Sequence, residues 1–192
     1  GEHRNDILVI RPTTSAWMYY IRGENKVGHR IGEIANPFQG FVTELQKNQV
    51  GYDMGSEAVM ARYGSVTDRE LVVGQRAYKT GVVPSTMENI NTETFELLKS
   101  FVANGGKLIV FGDGPAYLEG AEARGDLGDF FGQSPVIRLP ELDLKAINAH
   151  FRDERIRFPD NVAQYGRLYH QLREMSDGRI VLLTNTGTER IS

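Results

Sequence analysis

The chain has 192 residues, of which 40% are hydrophobic and 24% are charged, with a formal net charge of −3 at pH 7. This balance is typical of a globular domain and excludes a collagen-like or disordered chain, and its acidic sign argues against a general nucleic-acid surface. The lack of cysteine excludes a disulfide scaffold, a thiolate metal site and a cysteine nucleophile, and the apolar runs are far shorter than the roughly 20 residues of a membrane span.

Apolar runs alternate with amphipathic segments along most of the chain. The strands predicted from these runs cover residues 6–10, 50–54, 80–84, 107–111 and 136–139, with a small excursion at 70–73 and 76–78. The helices predicted between them cover residues 36–48, 57–63, 92–103, 126–131 and 142–151. Because strands that alternate with helices form parallel sheets, the predicted fold class is α/β, a flavodoxin-like parallel sheet with helices on both faces.

The last part of the chain carries a hairpin signal. Strand-like runs at residues 168–173 and 179–184 are joined by Ser176-Asp177-Gly178, and an Asp-Gly pair is typical of a tight hairpin turn. We therefore predict a C-terminal β-hairpin tail, and we interpret the chain as a fragment of a longer protein. The predicted domains are a tag remnant or linker at 1–5, an α/β domain at 6–160 and a hairpin segment at 161–192.

The stretch after the first strand is the most unusual in the chain. We predict a long loop from Arg11 to about Ala35, and this loop holds the only tryptophan, Trp17, beside Tyr19 and Tyr20. Aromatic faces stack on sugars while their polar rims form hydrogen bonds, so the three rings are candidate binding residues. The alternative is that they seal the end of the sheet or contact a neighbouring domain. Because three such rings would form an unusual exposed patch on a monomer, we expect at least part of this loop to be exposed or mobile in the isolated chain and to pack only in the longer protein.

The turn after the fourth predicted strand is a second candidate site, because open parallel sheets bind ligands beyond the carboxyl ends of their strands. This turn reads Gly112-Asp113-Gly114-Pro115, which is neither a G-x-G-x-x-G motif nor a Walker A loop, so a sharp turn is the simpler interpretation. Asp113 is a candidate binding residue, and the enzymatic alternative is a carboxylate nucleophile. The four histidines lack metal-ligand spacing. We therefore predict no metal, no cofactor and no catalytic residue.

Several segments, taken in their order, resemble one known family. They are D-I-L-V-I-R-P-T-T-S-A-W (6–17), Q-V-G-Y-D-M-G-S-E (49–57), Y-K-T-G-V-V-P-S (78–85), T-F-E-L-L-K-S-F-V-A-N-G-G-K-L-I-V-F-G-D-G-P (94–115) and L-R-E-M-S-D-G-R-I-V-L-L-T-N-T (172–186). Together they resemble the class I glutamine-amidotransferase-like domain of large bacterial glycoside hydrolases. This domain type includes the trimerisation domain of some β-galactosidases and the corresponding module of α-L-rhamnosidase-type enzymes.

The resemblance implies a flavodoxin-like domain between a (β/α)₈ catalytic barrel and a β-sandwich, with the hairpin entering the sandwich. It implies that the partners are other domains of the same polypeptide, with no nucleic acid and no membrane. It leaves carbohydrate binding and homo-oligomer formation open, and it implies a periplasmic or secreted location in a bacterium. True amidotransferases place a Cys in the turn after the strand that matches 107–111. Gly112 and Asp113 stand there instead, so amidotransfer chemistry does not carry over.

The function expected from the resemblance is that of a non-catalytic structural or interaction domain. Its parent is a glycoside hydrolase acting on polysaccharide or oligosaccharide, and the domain shapes the rim of the active site or an oligomer interface. Two other functions stay open. One is a stand-alone flavodoxin-like module that binds a sugar or nucleotide at the carboxyl ends of its strands. The other is a small hydrolase that uses Asp113.

Overall fold

The computed structural model describes residues 2–20, 27–153, 155–156 and 168–188. The strands are β1 (Glu2–His3), β2 (Ile7–Ile10), β3 (Asp53–Gly55), β4 (Gly64–Thr67), β5 (Glu70–Val73), β6 (Arg76–Tyr78), β7 (Thr80–Val83), β8 (Asn89–Ile90), β9 (Lys107–Phe111), β10 (Tyr117–Leu118), β11 (Ala121–Glu122), β12 (Ile137–Leu139), β13 (Leu168–Met175) and β14 (Gly178–Asn185). The helices are α1 (Thr13–Trp17), α2 (Val27–Lys47), α3 (Glu57–Tyr63), α4 (Thr92–Ala103), α5 (Arg124–Gly132) and α6 (Leu144–His150). In the described part of the chain, no helix is both long and apolar enough to cross a membrane.

The five strands predicted from apolar runs form one sheet. Its strand order is β12-β9-β7-β2-β3, and each neighbouring pair is parallel. In chain order this is the arrangement 5-4-3-1-2, which read from the other edge is the 2-1-3-4-5 order of flavodoxin-like folds. The central strands β2 and β7 are buried at every position, as expected for strands covered by helices on both faces. The predicted fold class is confirmed.

Two apolar cores lie on the two faces of this sheet. Successive side chains of a strand point to opposite faces, so Leu8 and Ile10 of β2 belong to one core while Ile7 and Val9 belong to the other. The first core includes the buried stripe of α4, and the second includes Val42 and Leu45 of α2 and Ile147 of α6. Helices therefore cover both faces, as predicted.

The prediction of a loop from Arg11 to about Ala35 is wrong. Thr13–Trp17 form α1, and α2 begins at Val27, while residues 21–26 lie outside the described part of the chain. The Asn36-Pro37 pair does not start a helix, because Pro37 lies inside α2. Ile34 is buried one turn before Phe38 and extends the apolar stripe that continues to Val42. The packing of this stripe outweighs the lost backbone hydrogen bond at an exposed proline.

The hairpin forms a separate three-stranded antiparallel sheet in the order β1-β13-β14. Its two-residue turn at Ser176-Asp177, closed by the pair Met175 and Gly178, and its eight-residue strands confirm the predicted β-hairpin tail. Glu2–His3 pair with β13, whereas residues 161–167 and 189–192 of the predicted hairpin segment lie outside the described residues. The predicted domain boundaries stay a prediction.

Candidate functional site

The carboxyl ends of the five parallel strands gather the two regions that the sequence analysis singled out. Helix α1, which carries Trp17, follows β2, and the turn with Asp113 follows β9. The residues between β7 and β8 and the first turn of α3 reach the same edge, because all the strands run in one direction. We call this side of the sheet the carboxyl edge.

Tyr19 is held in a hydrogen-bonded cluster at the carboxyl edge. Its phenol donates a hydrogen bond to Oε2 of Glu88 over 2.5 Å, and Nη2 of Arg30 donates to Oε1 of the same carboxylate over 2.6 Å. The Arg30 guanidinium also lies 4.8 Å from the centre of the Tyr19 ring, a cation–π distance. The hydrogen bond to Glu88 raises the pKa of the Tyr19 phenol. Tyr19 therefore connects α1 to α2 and to the residues before β8.

The side chains of Trp17 and Tyr20, by contrast, form no hydrogen bond with any described residue. Their side chains are 68% and 66% exposed, which confirms the expectation that part of the aromatic group is exposed. The three rings do not act as one surface, because Tyr19 is half-buried and its hydroxyl is used. The exposed rings that remain for a ligand or a partner are those of Trp17 and Tyr20.

Two polar residues beneath this surface were not predicted from the sequence. Ser15 is fully buried, and its hydroxyl oxygen accepts hydrogen bonds from the backbone N–H groups of Glu88 and Asn89 over 2.9 and 3.0 Å. Glu57 is 4% exposed; it accepts from the Thr14 hydroxyl and, over 2.8 Å, from the Asn91 N–H. Burial raises the pKa of the Glu57 carboxyl. Ser15 therefore joins α1 to the start of β8, and Glu57 joins α1 to the start of α4.

Asp113 lies in the sharp turn that its flanking glycines predicted. Gly112 and Gly114 have φ angles of +71° and +76°, which strain any residue with a Cβ, and a Cβ on Gly114 would lie 3.3 Å from Phe131. The Asp113 side chain is fully exposed and pairs with Arg138 over 2.6 Å. A solvated carboxylate paired with a cation is a weak nucleophile, because water and the guanidinium both stabilise its negative charge.

The geometry offers little for a bound metal. Among the described residues, no group of three or more His, Asp or Glu side chains is placed to hold a metal ion.

A cleft of about 290 Å³ lies beside the turn after β9, between Phe111, Ser85 and Glu141. The carboxyl edge presents the exposed rings of Trp17 and Tyr20. It also carries two carboxylates, Glu88 and Asp113, each of which is paired with an arginine. Together, fold and site define a flavodoxin-like α/β domain whose turn after β9 carries no activated nucleophile.

Comparison with known proteins gives a distant structural similarity. No family model matches the chain, and no curated protein matches it. Among solved structures, the chain is similar to Gan42B, a GH42 beta-galactosidase, with 11% sequence identity and a TM-score of 0.40. The similarity covers 96% of this chain but only 23% of the solved chain.

Proposed function

We propose that this chain is a non-catalytic structural and interaction domain of a bacterial glycoside hydrolase that acts on polysaccharide or oligosaccharide. In this proposal the barrel and sandwich domains of the same polypeptide are its partners. The carboxyl edge with Trp17 docks against the catalytic domain and shapes the rim of its active site or an oligomer interface. The ordered sequence segments that resemble amidotransferase-like domains of such enzymes support this proposal.

The observation that carries the proposal is the chemistry of the turn after β9. A functional amidotransferase needs an activated thiol there, because the reaction proceeds through an acyl-enzyme. Gly112 has no side chain and Asp113 is exposed and paired with Arg138. The turn therefore keeps the geometry of the fold without a group that attacks a substrate, which favours a structural role.

Exposed apolar side chains support the interaction part of the proposal. Trp17 and Tyr20 lie at the carboxyl edge, and strand β14 at the far end of the hairpin sheet exposes four consecutive aliphatic side chains, which are Ile180, Val181, Leu182 and Leu183. Such apolar patches on a small domain mark surfaces that other proteins or domains cover.

The first test compares Trp17→Ala with Tyr63→Ala, a second exposed aromatic residue that lies on α3. In the full-length enzyme, Trp17→Ala is expected to raise KM for an oligosaccharide or to weaken assembly, whereas Tyr63→Ala leaves both unchanged. In the isolated chain both variants keep the parent melting temperature, because an exposed ring contributes little to folding. Unfolding of the isolated Trp17→Ala chain, or an unchanged full-length enzyme, contradicts the docking role.

The isolated chain is also expected to release no ammonia from glutamine and to cleave no chromogenic glycoside. Release of ammonia above that of an Asp113→Ala variant contradicts the non-catalytic assignment and supports the small-hydrolase alternative. This assay needs no knowledge of the parent enzyme, so it tests the non-catalytic assignment independently of the docking role.

A second candidate function is a stand-alone module that binds a sugar at the carboxyl edge. The exposure of Trp17 and Tyr20 favours a sugar over a nucleotide, because rings stack on sugar C–H faces. Quenching of the single tryptophan by an oligosaccharide, absent with a nucleotide, is the expected result for this function.

A further inference from the structure

A second cleft lies at the opposite side of the sheet, where β2 and β3 begin. One wall is the edge strand β3 with Tyr52 and Asp53, and the other is strand β13 with Tyr169 and Gln171. Asn5, Gln46 and His170 complete the polar lining, and the volume is about 430 Å³. This volume falls within the usual range for small-molecule sites, about 300 to 1,000 Å³. We call it the hairpin cleft.

The charge of the hairpin cleft restricts the class of ligand. Among the described residues that line it there is no Lys or Arg, and Asp53 is the single carboxylate. His170 also lines it, with Nδ1 2.9 Å from Oε1 of Gln49, so a phosphate or carboxylate ligand meets no permanently charged cation there and is repelled by Asp53. The lining suits a neutral ligand.

Asp53 is held in a fixed orientation as a hydrogen-bond acceptor. The Asn5 amide donates to its Oδ1 over 2.7 Å, and the Tyr78 hydroxyl donates to its Oδ2 over 2.9 Å. Each carboxylate oxygen still has acceptor capacity, since it carries two lone pairs. A ligand with two neighbouring hydroxyl groups can donate one hydrogen bond to each carboxylate oxygen. The Asp53 side chain is already fixed, so binding costs it no further conformational entropy.

Other lining groups are free to bind the same kind of ligand. The Gln46 amide and the Tyr169 hydroxyl have no hydrogen-bond partner within the described ranges, and Gln171 accepts only a long bond of 3.4 Å from Arg173. Amides and phenols both donate and accept, which matches hydroxyl groups that do the same. The rings of Tyr52 and Tyr169 supply apolar faces for the C–H surface of a sugar ring.

We propose that the hairpin cleft binds a neutral saccharide, with Asp53, Gln46 and Tyr169 as its hydrogen-bonding residues. The ligand lies between the α/β domain and the hairpin and contacts both. This site is separate from the carboxyl edge, and the proposal does not rest on the function proposed above.

The test is a titration of the isotope-labelled full chain with methyl glycosides of glucose, galactose and mannose. Binding is measured from the chemical-shift changes of the backbone amides by NMR. We expect at least one glycoside to shift the amides of Gly51, Asp53 and Gln171. Loss of one hydrogen bond in Gln46→Ala or Tyr169→Ala weakens that binding by about threefold to tenfold. Inorganic phosphate is expected to leave these amides unchanged.

Matched controls are Gln75→Ala and Tyr63→Ala, which remove the same residue types from exposed positions outside the cleft. They are expected to keep the parent affinity, and melting curves show whether each variant is folded. The proposal is overturned if no glycoside shifts these amides, if phosphate shifts them equally, or if folded Tyr169→Ala binds like the parent. If only the signals of Trp17 shift, the glycoside binds at the carboxyl edge, and the proposal is also overturned.

Discussion

Glu57 is the one charged side chain that is buried among the described residues. Burial favours its neutral form and raises its pKa above the ordinary value of 4.5. A raised pKa means that the folded state binds a proton more tightly than the unfolded chain does. The stability contributed by neutral Glu57 is therefore complete below the unfolded pKa and is lost as the pH rises through the folded pKa.

Replacing Glu57 by Gln is expected to flatten this pH dependence and to raise stability near neutral pH. The amide oxygen of the new side chain accepts from the Asn91 N–H, and its NH₂ group donates to Thr14, whose hydroxyl reverses its role. Glu57→Ala instead leaves the Asn91 N–H unpaired and costs about 1 to 3 kcal/mol at every pH. Urea unfolding from pH 4 to 8 measures both effects.

Glu93→Gln is the matched control, because Glu93 is an exposed glutamate in the first turn of α4. Its pH profile is expected to follow that of the parent chain. A Glu57→Gln variant whose stability still falls with the parent slope would show that another group carries the pH dependence.

At the scale of elements, the hairpin is only lightly joined to the α/β core. No residue of β13 or β14 belongs to either apolar core, although Leu172 is buried. Deletion of residues 166–192 is therefore expected to leave the melting temperature of the core nearly unchanged. Differential scanning calorimetry of the shortened chain measures this.

Phe101→Ala serves as the opposite reference for this deletion. Phe101 is fully buried in the first core, so its truncation is expected to cost about 3 to 5 kcal/mol. If deletion of the hairpin lowers stability as much as Phe101→Ala, or abolishes cooperative unfolding, the hairpin belongs to the folding unit of the core.

Elements with local signals were predictable from the sequence, and α4 is the clearest case. Asn91 precedes it, its apolar residues repeat at helical spacing, and Gly105 follows it with a φ of +81°. The start of α2 was not predictable, because the burial of Ile34, which depends on the tertiary fold, outweighs the local signal of Pro37.

The candidate site was less predictable, because its partners are far apart in the chain. Ser15 accepts from an N–H 74 residues later, and Glu57 accepts from a hydroxyl 43 residues earlier. No local spacing marks such pairs. The exposed rings and the turn at Asp113 were predictable because their signals, a cluster of aromatic residues and two glycines, lie within a few residues.

At the scale of the whole molecule, β14 is an edge strand that no other described strand covers, and Arg179 is its one charged residue. It pairs residue for residue with β13 over eight residues, so no bulge interrupts it, and it contains no Pro or Lys. We expect the isolated chain to associate at high concentration through this edge. Leu182→Lys is expected to make it monomeric without lowering its melting temperature, because Leu182 is 58% exposed. Sedimentation velocity measures the change.

Gln75→Lys adds the same charge at an exposed turn and is expected to leave the association unchanged. A parent chain that stays monomeric at all concentrations, or a Leu182→Lys chain that associates like the parent, contradicts the role of this edge.

The division of β2 between two cores has a consequence for how this sequence can change over time. Leu8 and Val9 are neighbours in the chain but pack on opposite faces of the sheet. A larger side chain at one of them is accommodated by smaller ones on its own face, since overpacking is relieved by direct neighbours. Side chains on the two faces share few direct neighbours, so substitutions on one face are coupled to those on the other only through the backbone of β2. Divergent homologues are thus expected to show compensating replacements among residues of the same face. Replacements on the two faces of β2 are expected to accumulate independently of each other.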